Sequence, residues 1–111
     1  MDWLAFGVTL LVGVACIIIG ILNRHGNLKM LHSYHYKRVK PEDILPFGKF
    51  VGLGMILFGI GIIIFSIFSM LSVILTKEFY MWIGMGVMVL FMVVGSVFMF
   101  YAMKKYNKGI F

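Results

Sequence analysis

Three histidines supply all the imidazole in the chain, and two of them, His32 and His35, stand at an HxxH spacing that a helix would bring to one face. Zinc needs at least one or two further ligands, and His25, Glu42 and Asp43 are the nearest residues able to supply them. Beside Tyr34 and Tyr36 such a pair fits hydrogen-bonded histidines at a membrane interface better than a metal centre. No metal is therefore assigned, with His32 and His35 the one pair that could hold an ion. A soft metal has a different candidate. Met81, Met85, Met88, Met92, Gly95 and Met99 advance by four, three, four, three and four residues, one stripe down a helix face. Thioethers ligate Cu(I), yet the other soft donor, Cys16, sits in a separate apolar run, and methionine also fills irregular helix seams. Met85, Met88, Met92 and Gly95 are read as helix-packing residues.

Other chemistry finds no footing. No serine or cysteine nucleophile is paired with a base, and no glycine-rich phosphate loop follows a strand. The apolar runs contain no ionisable group besides the Cys16 thiol and the Tyr80 and Tyr101 phenols, whereas coupled transporters rely on intramembrane carboxylates, histidines or lysines. No histidine lies within such a run to serve as an axial haem ligand. The expectation is a non-enzymatic protein with no cofactor.

The elements that would position these residues are set by composition. The chain has 111 residues, of which 62% are apolar and 13% charged. A soluble domain this short could not hide that much hydrocarbon, because small globules leave much of their area facing solvent. Trp3 to Leu22, Val51 to Leu75 and Phe79 to Met103 contain no Asp, Glu, Lys, Arg, His, Asn or Gln, and run 20, 25 and 25 residues. About 20 cross a bilayer core as a helix, and lipid offers no partner to a non-helical backbone. The fold class is all-α: one membrane domain over 1–111, with spans at 3–22, 51–75 and 79–103 and a polar segment at 23–49. Only Thr76, Lys77 and Glu78 separate the second and third spans, which forces a tight hairpin. The N-terminus lacks the basic region of a cleavable signal peptide, so the first span is expected to be retained.

Small residues mark where the helices would approach. Gly13, Cys16 and Gly20 share one narrow face of the first span. In the second, Gly52, Gly59 and Ser66 recur every seven residues, as do Gly54 and Gly61. That repeat marks a seam for close antiparallel packing, and the short hairpin makes the third span its expected partner. Pro41 followed by Glu42 and Asp43 resembles a helix start, and Pro46 is expected to bend the chain.

The polar segment holds six of the ten Lys/Arg residues. Leu28, Leu31 and Tyr34 could line one side of a short helix lying in the membrane plane. Arg24, Lys29, Lys37, Arg38, Lys40 and Lys49 precede the second span, and Lys104, Lys105 and Lys108 follow the third; Lys77 alone falls on the other side. The excess predicts a cytoplasmic segment and C-terminus, with the N-terminus outside. The formal charge of +6 is spent on span flanks facing anionic headgroups, and nucleic acid is not an expected partner.

The stretch Leu31 to Ile56, LHSYHYKRVKPEDILPFGKFVGLGMI, resembles a family of short three-span bacterial membrane proteins, common in Gram-positive bacteria and catalogued as a domain of unknown function. The resemblance rests on Ser33-Tyr34, Lys37-Arg38, Glu42-Asp43 and Phe47-Gly48-Lys49 leading into a glycine-rich span. It covers about a quarter of the chain and implies a multi-pass protein of the bacterial plasma membrane, with no catalytic residues to carry over. The layout is also similar to membrane immunity proteins that protect bacteria from their own toxins, which place a basic, aromatic segment before an FGK-like approach to a span.

The expected function is accessory or regulatory: contact with lipid headgroups or a membrane partner, another protein or a second copy, through Tyr34, Lys37, Arg38 and Lys40. The alternatives are toxin immunity and a subunit of a small oligomeric transporter or channel.

Overall fold

The computed structural model describes residues 2–26 and 39–107. Its elements are α1 (Trp3–Arg24), a 3-10 turn (Pro41–Asp43), α2 (Ile44–Ile74) and α3 (Phe79–Tyr106). All three helices are long and apolar enough to cross a membrane. At 31 residues, α2 is about 46 Å long at 1.5 Å per residue. A hydrocarbon core of about 30 Å cannot cover it, so its ends reach the headgroup regions.

Local chemistry sets the helix ends. The Asp2 carboxylate accepts the Ala5 N–H at 2.7 Å and caps α1. Beyond Arg24 the chain turns through Gly26, whose φ of 90° suits a residue without Cβ. Pro41 opens the 3-10 turn, and α2 then runs unbroken from Ile44 through Pro46. Pro46 is the third residue of α2, within the first turn, where no backbone N–H has an intrahelical partner to lose. The expected bend at Pro46 therefore has no missing hydrogen bond to cause it. At the other end of α2, Thr76 N–H donates to the Val73 carbonyl at 3.3 Å and Lys77 N–H to the Ser72 carbonyl at 3.0 Å. These two bonds form a Schellman closure and turn the chain sharply into α3, as the short connection requires.

The middle helix is α2, which packs along both α1 and α3, while those two make little contact with each other. Its two seven-residue series face different partners. A methyl group at Gly20 would stand 2.6 Å from the Gly52 carbonyl oxygen, and one at Gly59 would stand 2.5 Å from that of Gly13. The Gly52, Gly59, Ser66 series thus lies against α1, correcting the expectation that α3 would take it. The Gly54, Gly61 series meets α3: a methyl at Gly54 would fall 2.6 Å from the Gly95 carbonyl oxygen, and one at Gly61 2.9 Å from Phe91 Cβ. Two positions apart on a helix is about 200° around it, so one helix presents the two series on nearly opposite sides.

Outward-facing side chains are apolar. Leu4, Leu11, Leu90 and Val97 are 78%, 68%, 60% and 61% exposed. Water would penalise this surface heavily and hydrocarbon would not, so lipid is the medium these helices suit. Because lipid tails are as apolar as leucine, close packing along the glycine seams holds the helices together. This is the architecture of a multi-pass membrane protein.

Candidate functional site

The antiparallel seams bring the C-terminal ends of α1 and α3 beside the N-terminal end of α2. Arg24 Nη1 donates to the Lys49 carbonyl at 3.1 Å. On the other side of α2, the ring of Phe47 meets that of Tyr106 edge-on, 6.5 Å between centroids. Phe47, Val51, Ala102 and Met103 are buried together beneath this end, with Val39, Ile44, Phe50, Met99 and Tyr106 packed around them. Arg24, Lys40, Lys49, Lys104 and Lys105 are all exposed there. Arg24, Lys104 and Lys105 also sit in last helical turns, where cations complement the negative end of the helix dipole. Asp2, Lys77 and Glu78 mark the opposite end, with Trp3 and Trp82 exposed near it.

An aromatic cluster forms the outer wall of the α2–α3 seam at the basic end. Phe50 stacks on Phe98 with centroids 6.4 Å apart and planes 21° apart, and meets Tyr101 edge-on at 5.2 Å. Lys105 Nζ donates to the Tyr101 hydroxyl at 3.3 Å. The same ammonium lies 5.6 Å from the Tyr101 ring centroid and 5.3 Å from that of Tyr106, within range for cation–π attraction. Phe50, Val97, Phe98 and Tyr101 line a shallow groove of about 320 Å³.

No protein-family model, curated protein or solved structure matches this chain. What the site can do is read from its residues alone.

Of the contact residues expected from the sequence, Lys40 is described and exposed. Tyr34, Lys37 and Arg38 lie outside the described residues, as do His32, His35 and the amphipathic pattern at Leu28, Leu31 and Tyr34. Among the described residues no three of His, Cys, Asp and Glu stand close enough to hold a metal ion. Cys16 is on α1 and the methionine stripe on α3, two helices that make little contact.

The packing residues divide. Gly13, Gly20, Gly52, Gly59, Ser66 and Gly95 are buried. Met88 and Met99 back onto Gly61 and Gly54. Met85 is half-buried, and Met92 helps line an outward groove with Val89, Val93 and Ser96. The line of α3 that meets α2 runs instead through Gly84, Met88, Phe91, Gly95 and Met99.

Sequence reasoning missed several groups. Ser66 Oγ donates to Thr9 Oγ1 at 2.6 Å, a bond between α1 and α2. Thr9 was detectable as a hydroxyl four residues before Gly13, extending that face. Asn23 is fully buried, and neither its amide nitrogen nor its oxygen has a hydrogen-bond partner among the described residues. No signal in the sequence singled out the groove, whose walls come from positions about fifty residues apart.

Proposed function

We propose that this chain is a non-enzymatic protein of the bacterial plasma membrane that engages anionic lipid headgroups or a membrane partner through its basic end. The N-terminus lies outside, and residues 23–49 and the C-terminus are cytoplasmic. One observation carries the reading: five exposed cations from three different helix ends, Arg24, Lys40, Lys49, Lys104 and Lys105, converge on one end of the assembly. Each cation near an anionic leaflet contributes about 1 kcal/mol, and the five outnumber the two carboxylates at the same end, Glu42 and Asp43. The sequence places Lys37 and Arg38 next to them in the chain. The resemblance at Leu31 to Ile56 points to the same kind of protein.

Orientation and contact are tested separately. In a Cys16→Ala background, an impermeant maleimide should label Lys77→Cys in intact cells and Lys105→Cys only after lysis; the reverse order overturns the orientation. Replacing Lys37, Arg38 and Lys40 together with Gln should leave membrane insertion intact and reduce crosslinking to anionic lipid or partner. Unchanged crosslinking counts against the contact role.

A further inference from the structure

Outward grooves lined by described residues lie along the membrane helices. One is lined by Val89, Met92, Val93, Ser96, Val97 and Phe100, and another by Leu57, Leu90, Phe91 and Val94. Neither has a charged side chain in its wall. A third, lined by Phe50, Val97, Phe98 and Tyr101, has a fixed cation at one end.

Its parts are arranged by depth. Val97 and Lys105 are eight residues apart on α3, about 12 Å along the axis. The ammonium thus sits above a slot of hydrocarbon and ring faces, at the end of α3 where the basic residues gather. Lys105 is exposed, and its described partners are the Tyr101 hydroxyl and two rings, with no carboxylate among them. Tyr101 accepts the Lys105 N–H through its oxygen, which leaves its own O–H proton available to a further acceptor. Two donors therefore converge at the mouth of an apolar slot. Lys104, also exposed, adds a second positive charge beside it.

We propose that this groove binds one anionic glycerophospholipid, with an acyl chain over Phe50, Val97 and Phe98 and the phosphate diester at the Lys105 ammonium and Tyr101 hydroxyl. The ammonium makes a charge-assisted bond to a phosphate oxygen, and the tyrosine O–H reaches a second oxygen or the glycerol ester. Net negative lipids are favoured over zwitterionic ones because Lys104 and Lys105 both bring positive charge to the mouth, and the Lys105 ammonium is held by a hydroxyl and two rings and not by a carboxylate. This assignment rests on the lipid-contact reading above and narrows it to one site.

The test uses full-length protein released from nanodiscs containing equal dioleoyl phosphatidylglycerol and dioleoyl phosphatidylcholine, with retained lipids counted by native mass spectrometry. Wild type should retain one phosphatidylglycerol preferentially. Lys105→Gln should lower that preference at least five-fold, Tyr101→Phe about two- to three-fold, and Lys77→Gln, at the far end, not at all. Val97→Phe fills the slot while leaving both donors in place, and should also lower retention. Circular dichroism and melting in detergent identify variants that fail to fold; for those, Lys105→Arg, which keeps the charge, should retain the lipid.

If Lys105→Gln and Val97→Phe leave retention unchanged while Gln at Lys37, Arg38 and Lys40 lowers it, the groove site is wrong and the broader reading stands. If wild type shows no preference for phosphatidylglycerol, the groove site and the lipid arm of the broader reading both fail, and only contact with a membrane partner stands. If Val97→Phe instead alters the oligomeric mass, a second copy of the chain covers the groove and the lipid assignment is overturned.

Discussion

Ser66 on α2 donates its hydroxyl proton to the Thr9 hydroxyl on α1 across 2.6 Å. Thr9 Oγ1 in turn lies 2.9 Å from the Ala5 carbonyl of its own helix, so its proton has a local acceptor and its oxygen is left to receive Ser66. The pair continues the seam that Gly13 and Gly59 begin and fixes the register of the two helices near the end opposite Arg24, Lys49 and Lys105.

Hydrogen bonds between membrane helices contribute about 0.6 kcal/mol on average, because the separated helices also find partners. Ser66→Ala and Thr9→Val should each destabilise modestly. Their double-mutant cycle should return a coupling of about 0.6 kcal/mol in SDS-induced unfolding from detergent micelles. A coupling near zero would show that the hydroxyls do not pair.

The glycine seams should be far less forgiving. At Gly20 and Gly59 the atoms that a new methyl would meet include backbone carbonyl oxygens, which cannot rotate aside. Gly20→Ala and Gly59→Ala must push α1 away from α2, and each should cost about 1–3 kcal/mol, as overpacking does in protein interiors. Gly7 and Gly86 have open space where a Cβ would go. Alanine there should be neutral or stabilise by up to about 1 kcal/mol through helix propensity. Equal losses at all four positions in the same unfolding assay would mean that the seams are misplaced.

The three helices were legible in the sequence because apolar runs of 20 residues or more have few alternatives once lipid is the solvent. The pairing of seams was only half legible. Gly13 and Gly20 are seven apart on α1, matching the interval from Gly52 to Gly59 on α2, and this shared interval predicts their pairing. The short hairpin drew attention to α3 instead. The 200° between the two α2 series could also have been read directly, since one neighbour cannot occupy both sides of a helix. Within the methionine stripe, Met88 and Met99 face α2, and Met92 borders an outward groove. Periodicity places residues on one side of a helix and leaves open which side meets a partner and which meets lipid. The groove joins Phe50 to Val97, Phe98 and Tyr101, a juxtaposition that appears only once α2 and α3 are docked.

The turn between α2 and α3 contains a residue that a left-handed backbone does not suit. Thr76 has φ 52°, the one positive value among the described non-glycine residues. It occupies the position after the cap of a Schellman closure, where glycine is most common. A Cβ in that region costs about 1–2 kcal/mol, and β-branching adds crowding. The Thr76 hydroxyl donates only to the adjacent Leu75 carbonyl at 2.7 Å in an exposed setting, so little is lost with it. Thr76→Gly should therefore stabilise the protein, by about 1 kcal/mol or less after the greater entropy of glycine in the unfolded chain is counted. Thr76→Asn, which tolerates the left-handed region better than threonine, should fall between the two, while Thr76→Val should gain nothing. Midpoints of SDS-induced unfolding give the order. A loss of stability in Thr76→Gly would mean that the chain does not take the left-handed turn at this position.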